Sequence, residues 1–198
     1  MFPIPPGTQT LLWMNVVAFL VDGYLMGGRL SEELALWPIG SEAVGAPGFM
    51  PWQLITYSFL HEGFAHIFLN MLGLVMFGSD VERVWGRNRY LTYYFTCVLS
   101  AGITQLVFTW ATGSVYPTVG ASGGIFGLLL AFALLFPRRT VMLILPPIPM
   151  PAWLFVTIYG LIELFQGVSG TQSGIAHFAH LGGMLGGWLM IRYGRARR

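Results

Sequence analysis

The sequence predicts an all-α, polytopic membrane protein built as a bundle of six helices, and three observations predict it. Hydrophobic residues make up 55% of the chain and charged residues only 9%, whereas soluble domains carry about a quarter charged residues. Six apolar runs, about 11–27, 54–77, 90–112, 119–136, 151–168 and 175–193, reach the roughly 17–25 residues that a bilayer crossing needs. The basic residues, all of them arginine, gather in alternate connections between these runs. A length of 198 residues suits one membrane domain over 1–198, with no stretch left for a separate soluble one. The net charge of +2 is too small to imply a nucleic-acid partner. The single cysteine, Cys97, lies inside an apolar run, which excludes an intrachain disulfide and a cysteine-based metal site.

Run one follows Met1–Thr10, a segment with no basic residue and no small-residue cleavage pattern, so it is not expected to be a cleaved signal peptide. Run one carries Asp22 and run five carries Glu163. Either would be costly facing lipid, so each is expected to be hydrogen-bonded inside the bundle or near an interface, as a structural group. The loop from Gly28 to Pro51 is too long for a helical hairpin and contains Leu34, Leu36, Trp37, Ile39 and Phe49. With Trp37 and Trp52 it is expected to lie at the outer membrane interface. Arg83, Arg87 and Arg89 follow run two, Arg138 and Arg139 follow run four, and Arg192, Arg195, Arg197 and Arg198 end the chain. Only Arg29 falls on the opposite side, in a loop that also has Glu32, Glu33 and Glu42. Positive residues stay inside, which predicts a multi-pass protein of the cell inner membrane with both termini cytoplasmic. The other outer loops, Gly113–Thr118 and Ser169–Gly174, are short and uncharged.

Polar residues then collect at one depth. Run four opens with Gly120-Ala121-Ser122-Gly123-Gly124-Ile125-Phe126-Gly127, which sets a serine between glycines at a helix N-terminus. The unpaired N–H groups and positive dipole end there suit a developing oxyanion. The chain's four histidines are His61 and His66 early in run two, and His177 and His180 early in run six. All three runs start at the outer face, so the serine and the imidazoles fall within a few turns of one surface, the mark of a functional site in a membrane protein. His66 and Asn70, four apart, share a helix face. His61 and His66, five apart on one helix, would point in different directions. Close helix approach is expected from Gly120-x-x-x-Gly124, Gly123-x-x-x-Gly127 and the run Gly182-Gly183-Met184-Leu185-Gly186-Gly187.

These residues suit acyl transfer: Ser122 as nucleophile, and His180 as its general base and then general acid to the leaving amine. His66, Asn70 and the backbone N–H of Ser122 offer donors to the oxyanion. No acidic residue stands in a clear position to orient His180, so the expectation is a dyad, with the Phe126 ring packed on the imidazole to hold it. Hydrolysis requires water, so the outer ends of these helices are expected to line a wet cavity.

The pattern resembles the rhomboid family of intramembrane serine proteases over nearly the whole chain. The matching pieces are Gly120-Ala121-Ser122-Gly123, Ala179-His180-Leu181-Gly182-Gly183 with Gly187, the His61, His66 and Asn70 spacing, and the stretch from Glu82 to Gly86. The resemblance implies a six-helix rhomboid-like bundle whose Ser122–His180 dyad opens outward, with His61 lining a water-retaining cavity. It implies cleavage of single-pass or polytopic transmembrane proteins near their outer ends, after small residues, with the lipid bilayer as surroundings and no metal or cofactor. Two departures stand out: Phe126 replaces a tyrosine common among bacterial members, and the first outer loop lacks their Trp-Arg pair.

Three other readings make different predictions. A membrane metalloprotease is suggested by His61-Glu62-Gly63-Phe64-Ala65-His66, but one residue too many rotates the second histidine off the face that a zinc pair shares. A transporter would explain intramembrane Asp22 and Glu163, yet no inverted repeat is visible. A catalytically silent rhomboid-like binding protein would keep the fold and handle membrane clients without cutting them.

Overall fold

The computed structural model describes residues 3–142, 147–169 and 176–194. Helix α1 (Pro6–Leu20) continues through a π turn over Val21–Leu25, and it begins five residues before the apolar run does. Proline at the first turn lacks only an N–H that would have no helical partner. A buried carboxylate caps the next residues: Glu82 accepts from Gly7 N–H (2.7 Å), Thr8 N–H (2.6 Å) and the Thr8 hydroxyl (2.8 Å). An anion is favourable at that end of the helix dipole.

Glu82 belongs to α5 (Ser79–Trp85), which prolongs α4 (Phe64–Gly73) through a π turn over Leu74–Gly78. The second span therefore runs Phe64–Trp85, not 54–77. Its expected start is broken instead into a single turn, α3 (Gln53–Thr56), a 3₁₀ turn over Tyr57–Phe59 and an irregular link to Gly63. Tertiary bonds replace helical continuation there. The Tyr57 carbonyl accepts from Leu60 N–H (3.2 Å) and Gly120 N–H (3.0 Å), while its hydroxyl donates to the Val98 carbonyl (2.8 Å). His61 thus lies off the helix, and the rotation expected to separate it from His66 does not apply.

The connection between α1 and α3 carries a short α2 (Arg29–Leu34). Asp22 accepts from Leu30 N–H (3.0 Å) and the Ser31 hydroxyl (2.5 Å), so it has the hydrogen-bonded structural role expected of it. Further along, Leu36 exchanges backbone bonds with Thr118 (3.0 and 2.9 Å), tying this loop beside the start of α7.

Helices α6 (Arg87–Thr112), α7 (Ser122–Leu135), α8 (Ala152–Ser169) and α9 (His177–Tyr193) follow runs three to six closely. Between α7 and α8 stands a small antiparallel hairpin absent from the sequence reading, β1 (Thr140–Met142) with β2 (Pro149–Pro151). By length and composition Phe64–Trp85, Arg87–Thr112 and Ala152–Ser169 suit a membrane crossing, while α7 is apolar but only 14 residues long. The loop past Ser169, the start of run six at Ile175, and Arg195, Arg197 and Arg198 lie outside the described residues.

Glycines set how α7 is held. A Cβ on Gly183 of α9 would collide with the Gly123 carbonyl, and one on Gly127 would collide with Cys97 of α6. Gly187 faces the Tyr93 ring, whose hydroxyl donates to the Gly127 carbonyl (2.8 Å). Backbones this close interlock by van der Waals packing, which in lipid supplies much of the attraction between helices. At the end of α7 away from Ser122, Asp80 pairs with both Arg83 (2.8 Å) and Arg139 (2.7 Å), so the arginine end and the serine end of the helix are opposite.

Candidate active site

Ser122 is the first residue of α7 and His180 lies in the first turn of α9. The glycine contact between Gly123 and Gly183 draws those two turns together. Ser122 Oγ and His180 Nε2 are 2.8 Å apart, hydrogen-bonding distance between side chains 58 residues apart in sequence. The Phe126 ring stacks on the imidazole, with centroids 4.3 Å apart and planes 7° from parallel.

His180 has an acidic partner, contrary to the expectation of a dyad with none. Glu163 Oε2 of α8 lies 2.9 Å from His180 Nδ1 and 2.7 Å from His177 Nδ1. A carboxylate only accepts, so both Nδ1 atoms carry hydrogen and His180 Nε2 is left to accept the Ser122 hydroxyl. Glu163 is thus hydrogen-bonded inside the bundle, as expected of it, but one of its two partners is the imidazole that touches Ser122. Depth was the available signal: Glu163 lies six residues before the C-terminal end of α8, at the level of Ser122, with which it shares His180.

Around Ser122, α4 and the start of α7 supply further polar groups. The first intrahelical bond of α7 joins Ile125 N–H to the Ala121 carbonyl (3.1 Å), so the N–H groups of Ser122 and Gly123 precede the helical ladder. Gly120 holds φ +124°, a conformation that side chains rarely adopt. A Cβ there would lie 2.7 Å from His66 Nε2 and 3.6 Å from Ser122 Oγ, so the glycine keeps the space beside the nucleophile open. Asn70 is buried on the same face as His66 and uses one amide N–H on the His66 carbonyl (3.0 Å), leaving the other for a ligand. His61 is buried and edge-on to His66, with ring centroids 4.9 Å apart.

Beside these groups a cavity of about 710 Å³ runs between α4 and α8, lined by His66, Asn70, Ser122, Phe126, Tyr159 and His180 among others. It joins a polar end at Ser122 to an apolar end at Phe77 and Phe155, whose rings lie 6.3 Å apart. A serine hydroxyl, an imidazole within hydrogen-bonding distance of it, N–H donors and a shaped cavity are parts from which a hydrolytic site can be built.

A model of the family described as Rhomboid domain matches residues 48–197. The chain belongs to the rhomboid family. Similar rhomboids include Rhomboid protease GluP of Bacillus subtilis (strain 168), 29% identical over 186 residues, covering 93% of this chain and 34% of that one. Putative rhomboid protease YdcA of the same organism is 31% identical over 188 residues, covering 93% of this chain and 77% of its own. Rhomboid protease AarA of Providencia stuartii is 28% identical over 204 residues, covering 94% and 72%. The chain thus spans about a third of GluP's length and most of the other two. As a rhomboid it is an integral multi-pass membrane bundle.

Proposed function

We propose that this rhomboid is an intramembrane serine endopeptidase that hydrolyses peptide bonds near the outer ends of transmembrane helices, in single-pass or polytopic protein substrates. The observation that carries the reading is the 2.8 Å contact between Ser122 Oγ and His180 Nε2, made between two separate helices at the edge of a cavity. Ser122 Oγ bonds to the substrate carbonyl carbon as its proton passes to His180 Nε2. The oxyanion meets the Ser122 N–H, with His66 and the second N–H of Asn70 as further donors. Collapse breaks the C–N bond, and His180 returns the proton to the leaving amine. Water in the cavity, deprotonated by the same imidazole, then hydrolyses the acyl ester and restores the serine.

The arginine distribution supports cytoplasmic termini in the cell inner membrane, with the serine toward the outer face. The gap between α4 and α8 leads from the bundle's flank to Ser122, and it is the side from which a substrate helix would approach. The test is labelling with a fluorophosphonate in detergent, together with cleavage of a transmembrane reporter. Wild type is expected to label and cut, while Ser122→Ala and His180→Ala do neither and still fold. Cleavage surviving in Ser122→Ala would overturn the reading, and intact client binding without cleavage in wild type would make the protein a silent binder.

A further inference from the structure

Glu163 is 6% exposed and His177 5%, and the α8 carboxylate directs one oxygen, Oε2, at two imidazoles of α9. A buried carboxylate is expensive unless it is paired and hydrogen-bonded. A single partner would suffice to settle Glu163 between two helices, yet its second partner is the base that touches Ser122. The Ser122 Oγ–His180 Nε2 and His180 Nδ1–Glu163 Oε2 contacts, 2.8 and 2.9 Å, use the two nitrogens of one ring. We infer that Glu163, itself held by His177, is a positioning residue for His180, standing behind the Ser122–His180 dyad. This rests on the protease reading.

Three consequences separate this role from the bracing of α8 against α9. First, Glu163 fixes the tautomer, because an Nδ1–H donated to the carboxylate leaves Nε2 as the proton acceptor. Second, it fixes the ring's rotation. Stacking on Phe126 restrains the plane of the imidazole, but a half-turn about Cβ–Cγ keeps the stack and swings both nitrogens away from their partners. Histidine's χ2 has two such broad wells, and the carboxylate selects one. Third, it places negative charge beside the imidazolium that forms when Ser122 attacks, where low surrounding polarity makes the compensation strong. His177 holds the carboxylate on the α9 side, and its Nε2 is buried without a partner among the described residues, so Glu163 is its one polar contact there.

The ligand atoms of Glu163, His177 and His180 all lie within 4.8 Å of one another, a set that also resembles three ligands of a metal site. The separations decide against it. Ligands around tetrahedral zinc, with bonds of about 2.0–2.1 Å, stand about 3.3 Å apart, whereas the carboxylate oxygen is 2.7 and 2.9 Å from the two nitrogens. Those are charge-assisted hydrogen bonds.

The experiment compares wild type, Glu163→Gln, Glu163→Asp and Ser122→Ala in detergent, by steady-state cleavage of a transmembrane reporter and by ¹⁵N NMR of labelled histidines. Glu163→Gln is expected to lose about 10²-fold in kcat with KM within about twofold, less than the roughly 10⁴-fold known for triad carboxylates because the Phe126 stack remains. Glu163→Asp is expected to recover part of the loss. His180 should be Nδ1–H in wild type and a tautomer mixture in Glu163→Gln. A Glu163→Gln enzyme within twofold of wild-type kcat, an Nε2–H tautomer in wild type, or loss of wild-type activity on chelation with EDTA would overturn the positioning role. If Glu163→Gln does not fold, the wild-type tautomer and the Glu163→Asp rate decide. Wild type no more active than Ser122→Ala would instead sink the protease reading itself.

Discussion

Asn70 shows how much one side chain's partners constrain its role. One amide N–H is taken by the His66 carbonyl (3.0 Å), which fixes the group and leaves a single donor for the cavity. Asn70→Ala is therefore expected to lower kcat by about 10²–10³-fold, the scale of one oxyanion donor, with fluorophosphonate labelling of Ser122 slowed but not abolished. Unchanged turnover would remove it from that role. Residues on the glycine-flanked motifs were legible in the sequence because spacing and helix position carry their chemistry: Ser122, His180 and Phe126 all meet where expected. Glu163 was not, since a lone carboxylate in an apolar run has no local pattern pointing to its partner. Its depth alone would have paired it with Ser122.

Among elements, the contact of α7 with α9 carries the site. Gly183 has no room for a side chain against the Gly123 carbonyl, so any substitution must push the two helices apart. Gly183→Leu is expected to abolish cleavage and to lower the unfolding temperature in detergent, while Gly27→Ala, outside the bundle contacts, affects neither beyond the small cost of its positive φ. Normal activity in Gly183→Leu would show that close approach is dispensable. Apolar runs three to six were readable because their ends coincide with polar or glycine breaks. The second span was not, because its break at Leu60–Gly63 comes from bonds that Tyr57 makes to Gly120 and Val98, partners invisible to any local window. The early start of α1 has the same origin, in a capping carboxylate 74 residues away.

For the molecule as a whole, the proposed chemistry demands that a substrate helix unwind. A peptide bond within an intact helix has its carbonyl hydrogen-bonded and its flanks shielded, so it cannot seat against Ser122. Reporter spans with glycine or proline near the cut are expected to be cleaved at least about tenfold faster than otherwise identical poly-leucine spans, a difference of about 1.4 kcal/mol in barrier. Equal rates would contradict the need for unwinding.

The shortness of α7 has a consequence for how deep that reaction lies. Its 14 residues rise about 21 Å, against a hydrocarbon layer about 30 Å thick. With its far end anchored among arginines, the helix stops well short of the opposite surface, and the nucleophile at its tip sits at the bottom of a dimple. The column is enclosed by protein, since ten of its fourteen residues are buried and α4, α6, α8 and α9 pack around it. The walls of that recess are therefore side chains of the neighbouring helices, and enlarging or shrinking one of them would change how water and a substrate strand descend to the serine without touching the reacting groups.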